Sequence, residues 1–161
     1  MAYKSSDGSP TTVDLAGFFY DLVRCETRLY NDLNDRLRER HGIVTSQFEF
    51  LRHLRDHPGA RVADLAAAFA VGIGATSKGV DRLEKQGWVV RQPNPSDRRS
   101  SLLALTDDGL TLADAAERTF TEGLDQLVAA NLGASLTPAV AQVFADLRAT
   151  LEREQIGMPT G

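Results

Sequence analysis

Apolar residues recur three and four positions apart along most of the chain, and this spacing predicts a mainly α-helical fold. Gly42 and Gly87 are expected to end the first and fourth helices, and Thr45 or Ser46 to cap the second. Thr106 is expected to cap the fifth, whose first turn carries two acids. The pattern predicts helices over Val13–His41, Thr45–His57, Val62–Ala70, Ile73–Gln86, Asp107–Asn131 and Thr137–Gln155.

Two short runs, Trp88–Gln92 and Ser101–Thr106, are predicted to be strands, with Trp88 in the core. The link between them reads PNPSDRRS, and its two prolines remove backbone donors and fix φ. This link is therefore predicted to project as a stiff turn. Because two strands alone are marginally stable in water, the ribbon is expected to pack against the neighbouring helix pair.

The order of elements predicts a winged helix-turn-helix lobe with long helices added at both ends. Residues 45–106 form the predicted lobe, residues 13–44 and 107–155 the terminal helices, and residues 1–12 and 156–161 loose tails. The apolar stripes of the terminal helices are too large for the central lobe to cover. Two chains are therefore expected to cover each other's stripes in a homodimer.

Composition excludes several classes of protein. The 161 residues are 42% hydrophobic and 25% charged, which is ordinary for a globular domain. No apolar run approaches the ~20 residues that a membrane span needs, and the N-terminal residues lack an apolar signal core. The single cysteine, Cys25, cannot form an internal disulfide, so a cytoplasmic location is expected.

Charge is unevenly distributed along the chain. The net charge is −4, yet residues 75–101 contain six cations and three anions, a net +3, and the rest of the chain carries −7. A basic island on an acidic body suits a protein that presents one face to phosphates, although such a cluster is also typical of an ordinary solvated surface.

Residues 65–87 follow helix-turn-helix logic. The small Ala66 lets the second helix cross closely, and Gly72 is expected to permit the tight turn. Val71, Val80 and Leu83 are expected to form the shared core. A helix of this kind fits the major groove of duplex DNA, and its N-terminus attracts a phosphate. The candidate DNA-contact residues on this helix are Gly74, Ala75, Thr76, Ser77, Lys78 and Arg82.

The tip of the ribbon supplies three further candidates, Asp97, Arg98 and Arg99. An arginine at such a tip can enter a narrow minor groove, where the negative potential is enhanced. Asp97 is expected to hold a nearby guanidinium in one orientation through a charge-assisted bond. The alternative is a plain surface loop.

These segments together resemble the MarR family, the multiple-antibiotic-resistance type of bacterial regulators. The family places D-x-R in the wing, matched by Asp97–Arg99, and then L-x-L-T-x-x-G, matched by Leu103–Gly109. Its recognition helix reads V-x-R-L-x-x-x-G, matched by Val80–Gly87. Gly79 and Ile73 depart from the pattern, because the family usually has a larger apolar residue and a proline there.

The resemblance implies a triangular homodimer held by the first, fifth and sixth helices, and no enzymatic activity. It implies contact of Ser77 and Lys78 with the major groove and of Arg99 with the minor groove, on a pseudopalindrome with half-sites about 10 bp apart. It also implies repression relieved by a small, often phenolic, ligand.

Four residues are candidates to border a ligand cleft between the terminal helices and the lobe: His41, Phe48, Arg52 and His53. Arg52 would suit a carboxylate or a phenolate. The alternative is a solvated arginine beside a core phenylalanine.

Cys25 could sense oxidants, as cysteines in the first helix of some family members do. It lies on the apolar stripe, however, where nothing lowers the pKa of a thiol, which favours a structural role. His53 and His57 have a metal-ligand spacing, yet the sequence offers neither a cysteine nor an HExxH partner, so no metal is expected.

Two other functions remain open. The sequence has no G-x-S-x-G, phosphate-binding loop, nucleotide fingerprint or metal cluster, so neither an enzyme nor a cofactor is expected. A winged-helix interaction module that does not bind DNA is compatible with the acidic body. The prediction is a DNA-binding transcription regulator acting on double-stranded DNA, with no membrane partner.

Overall fold

Capping groups set the ends of the first helix. The computed structural model describes residues 13–159, so residues 1–12 of the predicted N-terminal tail and residues 160–161 lie outside the described residues. Helix α1 spans Leu15–His41, and the Asp14 carboxylate accepts a 3.0 Å hydrogen bond from the Gly17 amide at its start. Gly42 ends it with a φ of 67°, as predicted.

The remaining elements follow the predicted order, with ends shifted by one or two residues. The fifth predicted helix is α-helical to Leu124 and continues through a π-helical turn, Asp125–Ala129, into a last short turn. The elements are α2 (Thr45–Asp56), α3 (Val62–Ala68), α4 (Ile73–Lys85), β1 (Val89–Pro93), β2 (Ser101–Leu105), α5 (Asp107–Leu124), α6 (Ala130–Leu132) and α7 (Thr137–Arg153).

The cap predicted for α2 is wrong. The residue that precedes this helix is Val44, and the side-chain oxygen of Gln47 accepts a 3.0 Å hydrogen bond from the Val44 amide. Thr45 is buried, and its own amide donates to the Asn34 side chain at 3.1 Å. By contrast, Thr106 caps α5 as predicted, since its hydroxyl accepts from the Gly109 amide at 3.0 Å.

The turn between α3 and α4 also differs from the prediction. Its left-handed residue is Ala70, with a φ of 49°, whereas Gly72 has an ordinary φ of −60°. Val71 is 38% exposed rather than part of the core. Ala66, Val80 and Leu83 are buried as expected, so the helix pair packs closely through these residues.

The two strands form an antiparallel ribbon in which Val89 faces Leu105 and Arg91 faces Leu103. The loop after α2 extends its edge, because Leu103 donates to the Ala60 carbonyl at 2.8 Å and Gly59 donates to the Leu103 carbonyl at 3.3 Å. These bonds attach the base of the ribbon to the helical body.

The core consists of two joined clusters. The larger one lies between α2, α3, α4 and the ribbon, and the smaller one, which includes Leu37, Phe48 and Ala116, lies where α1 and α2 meet α5. Trp88 is partly buried and packs against both. Helices α3 and α4 and the ribbon therefore share a continuous core with the terminal helices.

Helix α7 has no buried residue. Among residues 13–159, no single helix combines the length and apolar character of a membrane span. The pair Asp107–Leu132 and Thr137–Arg153 reaches that length and composition only when taken together, and it is bent by 109°.

Candidate nucleic-acid interface

Helix α4 presents a mixed small and cationic surface to solvent. Gly74 and Ala75 are exposed in its first turn, and no atom lies within 4 Å of the position that a Gly74 Cβ would occupy. Lys78 is exposed and Ser77 half-buried, so both side chains are accessible one turn later. Another surface can therefore approach the start of this helix closely.

Thr76 does not belong to this surface. Its side chain is fully buried, and its hydroxyl donates to the Gly72 carbonyl at 3.2 Å. The residue faces the core because it follows the same helical stripe as Val80 and Leu83. The expectation that the Thr76 side chain contacts DNA is wrong.

Further along α4, Arg82 and Lys85 are exposed, and they share a shallow depression with Asp81 and Glu84. Within residues 13–159, Lys78, Arg82 and Lys85 have no carboxylate partner, whereas Asp81 and Glu84 are both paired. The unpaired charges of this helix are thus cationic.

The partner of both acids is Arg91 on β1. Its guanidinium lies 2.7 Å from Asp81 Oδ1 and also contacts the Glu84 carboxylate. Sequence reasoning counted Arg91 only as one cation of the basic island. The spacing of three between the two acids, which places them on one side of α4, was the available signal.

The wing tip is held by short-range hydrogen bonds. The Asn94 side-chain amide donates to Ser100 Oγ at 2.9 Å, and the Ser96 amide donates to Asn94 Oδ1 at 3.0 Å. Asp97 Oδ1 accepts from the Arg99 amide at 3.0 Å and lies 3.7 Å from the Arg99 Nε. The Asp97 carboxylate is therefore within ion-pair distance of the Arg99 guanidinium, but among the described residues no side-chain hydrogen bond joins the two.

Both wing arginines point away from the body. Arg98 is exposed, and the Arg99 side chain is 96% exposed. Water screens the Asp97–Arg99 contact strongly at this exposure, so the pair adds little to the stability of the fold.

Gly109, the last residue of the L-x-L-T-x-x-G segment, sits where the ribbon joins α5. A Cβ at this position would lie 2.0 Å from the Trp88 carbonyl oxygen. That oxygen also accepts a hydrogen bond from the Thr106 amide at 3.1 Å. The glycine lets α5 begin directly against the first strand.

The four candidate ligand residues have separate environments. Phe48 is buried in the core, with its ring centroid 4.8 Å from that of Phe120. His41 Nε2 lies 2.8 Å from Thr119 Oγ1, and burial lowers the pKa of this histidine. The structure does not bring these residues together around one cleft.

The other two candidates are engaged on α2. Arg52 Nε lies 3.2 Å from Glu117 Oε1, and the His53 ring stacks on His57 with centroids 4.3 Å apart. The two histidines are not accompanied by a third metal-ligating side chain, since the described residues contain no such group of three.

An apolar groove of about 770 Å³ lies between α1, α2, α5, α6 and α7. It is bordered by Phe18, Cys25, Phe120 and Phe144 together with the polar residues Tyr30, Thr45 and Glu49. Sequence reasoning missed it because its walls come from helices far apart in the chain.

The polar side of this groove has unusual electrostatics. Burial raises the pKa of the Glu49 carboxyl, an effect that the charge of Arg52 only partly opposes. Burial likewise raises the pKa of Tyr30. The Thr45 hydroxyl is buried and has no hydrogen-bond partner among the described residues.

The comparisons with known proteins agree with this geometry. A model of the MarR family matches residues 43–101. The multiple antibiotic resistance protein MarR of Salmonella typhimurium is 31% identical over 130 residues, which cover 81% of this chain and 88% of that protein. The chain belongs to the MarR family.

Solved structures extend the likeness to the MarR fold. Sco3205, a MarR family regulator from Streptomyces coelicolor solved in complex with DNA, has a TM-score of 0.79, with 22% identity over 95% of this chain and 98% of that one. The repressor CouR, bound to a 23-mer DNA duplex, has a TM-score of 0.75, with 25% identity over 87% and 99%. The winged-helix prediction is confirmed, and membership of a family of transcription regulators agrees with the expectation that the chain is not an enzyme.

Proposed function

We propose that this MarR-family protein is a homodimeric repressor that binds a pseudopalindromic operator and is released by a small ligand. The observation that carries the proposal is the charge arrangement of α4 and the wing. Lys78, Arg98 and Arg99 are exposed, whereas the acids Asp81 and Glu84 are paired with an arginine. Such a surface attracts phosphates although the whole chain is acidic.

In the proposed complex, α4 enters the major groove and the wing lies along the adjacent minor groove. Gly74 and Ala75 allow close approach of the helix, and Ser77, Lys78 and Arg82 supply donors to bases and phosphates. Arg99 enters the minor groove, oriented by Asp97, while Arg98 contacts the sugar-phosphate backbone of the DNA. Sco3205 and CouR, which share the fold, were both solved bound to DNA, and this supports DNA binding by the present chain.

The dimer is proposed from apolar surface that the single chain leaves uncovered. Phe18 and Phe19 on α1, and Val143 and Phe144 on α7, are between 41% and 64% exposed. Monomeric domains rarely expose apolar side chains so densely, and a second copy covers them with the same surface. Residues 13–44 and 107–155 are thus proposed as the dimerisation region, and residues 45–106 as the DNA-binding lobe.

The effector is proposed to occupy the end of the apolar groove beside Tyr30, Thr45 and Glu49, rather than a cleft around His41, Phe48, Arg52 and His53, while the second copy covers the exposed rim at Phe18 and Phe144. Its apolar walls suit an aromatic ring, and Tyr30, Thr45 and Glu49 offer hydrogen bonds to a hydroxyl group. A panel of phenolic compounds, added to the protein–DNA complex, is expected to contain members that release the DNA. Glu49→Gln is expected to change the concentration required.

The test of DNA binding uses the DNA upstream of the protein's own gene and a scrambled duplex of the same length. Arg99→Ala and Lys78→Ala are each expected to weaken binding at least about tenfold in fluorescence anisotropy. Each loss should lower the slope of log K against log salt by about one if a phosphate contact is removed.

Arg153→Ala, at the exposed end of α7, removes an equivalent charge away from α4 and the wing, and should bind as the parent does. Because it lies in the proposed dimerisation region, it serves as the control only with a dimer that sediments as the parent's does. Sedimentation should give the same dimer for every variant. Equal affinity for the two duplexes, or unchanged binding by Arg99→Ala, would contradict the proposed interface.

A further inference from the structure

We propose that Arg91 is a positioning residue of the DNA-binding surface, which masks the two carboxylates of the recognition helix α4. The inference rests on the proposed DNA interface and assigns a role to a residue that does not itself need to touch DNA. Its basis is the contact of one guanidinium with both Asp81 and Glu84.

The geometry of this contact suits a fixed pairing. Arg91 Nη2 lies 2.7 Å from Asp81 Oδ1, while its Nη1 contacts the Glu84 carboxylate. The Arg91 side chain is only 25% exposed, compared with 59% for Asp81 and 40% for Glu84. The guanidinium therefore lies beneath the two acids, between β1 and α4, with fewer of its atoms open to an approaching duplex.

The position of the acids explains why masking matters. Asp81 and Glu84 border the same depression as Arg82 and Lys85, so the two carboxylates lie among the cations of α4. Taken alone, the two acids would offset two of the three cations, Lys78, Arg82 and Lys85. A phosphate near this face would then meet repulsion that water and salt screen only in part.

With Arg91 in place, the cluster of Asp81, Glu84 and Arg91 carries a single net negative charge instead of two. The exposed cations of α4 and the wing then dominate the potential. Charge complementarity of this kind changes both the rate and the strength of association. Arg91 thus acts on DNA through Asp81 and Glu84.

The test is a mutational cycle in which fluorescence anisotropy measures the affinity of each variant for the DNA upstream of the protein's own gene. Arg91→Gln should weaken binding about tenfold, because the two carboxylates lose their cationic partner and repel the phosphates. The double variant Asp81→Asn, Glu84→Gln should bind at least as tightly as the parent. Adding Arg91→Gln to that double variant should change affinity by less than about twofold, because no carboxylate remains to be masked.

The two backgrounds separate masking from direct contact. If Arg91 acts through the acids, Arg91→Gln weakens binding only where Asp81 and Glu84 are kept, and the loss shrinks as salt screens the repulsion. If Arg91 binds a phosphate itself, Arg91→Gln costs the same factor with and without the acids. An equal cost in both backgrounds, or unchanged binding by Arg91→Gln, would overturn the proposal.

Two controls keep the result interpretable. Thermal unfolding and sedimentation of each variant show that a folded dimer is being compared, and Arg91→Lys should recover part of the affinity because it keeps the charge. Failure of the interface itself looks different, since Lys78→Ala and Arg99→Ala would then also bind as the parent does.

Discussion

The Phe50 ring lies directly against the backbone of Gly79, so closely that a Cβ at position 79 would be 2.9 Å from Phe50 Cε2. The ring also packs against Phe69, with the two ring centroids 5.3 Å apart. This contact gives a physical reason for a glycine in the middle of α4, where glycine costs about 1 kcal/mol relative to alanine. The Phe50 side chain, which extends from α2, occupies the space that a side chain at position 79 of α4 would need.

Two glycines of the same helix should therefore respond oppositely to alanine. Gly74→Ala should stabilise the protein by about 0.5–1 kcal/mol, because the site is open and its φ is ordinary. Gly79→Ala should instead destabilise it by about 1 kcal/mol, because the added methyl forces Phe50 to shift. Urea unfolding measures both, and equal stabilisation by the two variants would show that Phe50 yields at no cost.

The reactivity of Cys25 tests the proposed dimer interface. Its side chain is exposed in the single chain and borders the apolar groove together with Phe18 and Phe144. A second copy that covers α1 and α7 should slow its reaction with a maleimide at least about tenfold, because the thiolate must reach solvent to react.

The control for this labelling is a Cys25→Ser protein carrying Ser96→Cys at the exposed wing tip, which should react at the rate of a free thiol. If Cys25 reacts equally fast in a protein that sediments as a dimer, the interface lies elsewhere. The same samples test oxidant sensing, since peroxide should leave DNA binding unchanged if Cys25 has only a structural role.

The stability of the protein should fall as the pH is lowered from about 7.5 to 5.5. Burial lowers the pKa of His53 from its ordinary 6.5, with a smaller contribution from the charge of His57, and Asp56 and Asp64 oppose it. As the pH falls below 6.5, the unfolded chain therefore binds a proton that the folded chain resists. The contribution of His53 is complete above that pH and is lost through the window below it.

Urea unfolding at the two pH values measures this effect. His53→Gln should reduce the difference in unfolding free energy, whereas His57→Gln should retain most of it, because burial is the larger cause of the His53 shift. If His53→Gln keeps the full difference in unfolding free energy between the two pH values, the pH dependence belongs to another group. His41 is the first candidate, because burial lowers its pKa as well.

Local patterns predicted most element ends to within two residues. The start of α5 was predicted from Thr106 and the end of α1 from Gly42, because each depends on one residue and the backbone next to it. The cap of α2 and the turn at Ala70 were mispredicted. Both depend on how Thr45 and Val71 sit relative to other helices, which no local rule encodes.

The candidate DNA-contact surface shows the same division. Periodicity placed Lys78 on the surface and Val80 in the core, and the exposure of Lys78 and the burial of Val80 agree with this. Thr76 was counted among the contact candidates, yet its side chain lies on the buried stripe with Val80 and its hydroxyl donates to the Gly72 carbonyl.

By itself, the amino-acid sequence determined the mainly helical fold, the winged helix-turn-helix order and membership of the MarR family, because these follow from periodicity and from motifs within a few residues of each other. Only the tertiary structure decided that Arg91 pairs with two acids of α4, that Phe50 packs against Gly79, and that the apolar groove lies beside Glu49. Each of these joins residues on different elements. A contact between them depends on the angle and distance at which the elements pack, which hydrophobic burial fixes for the molecule as a whole.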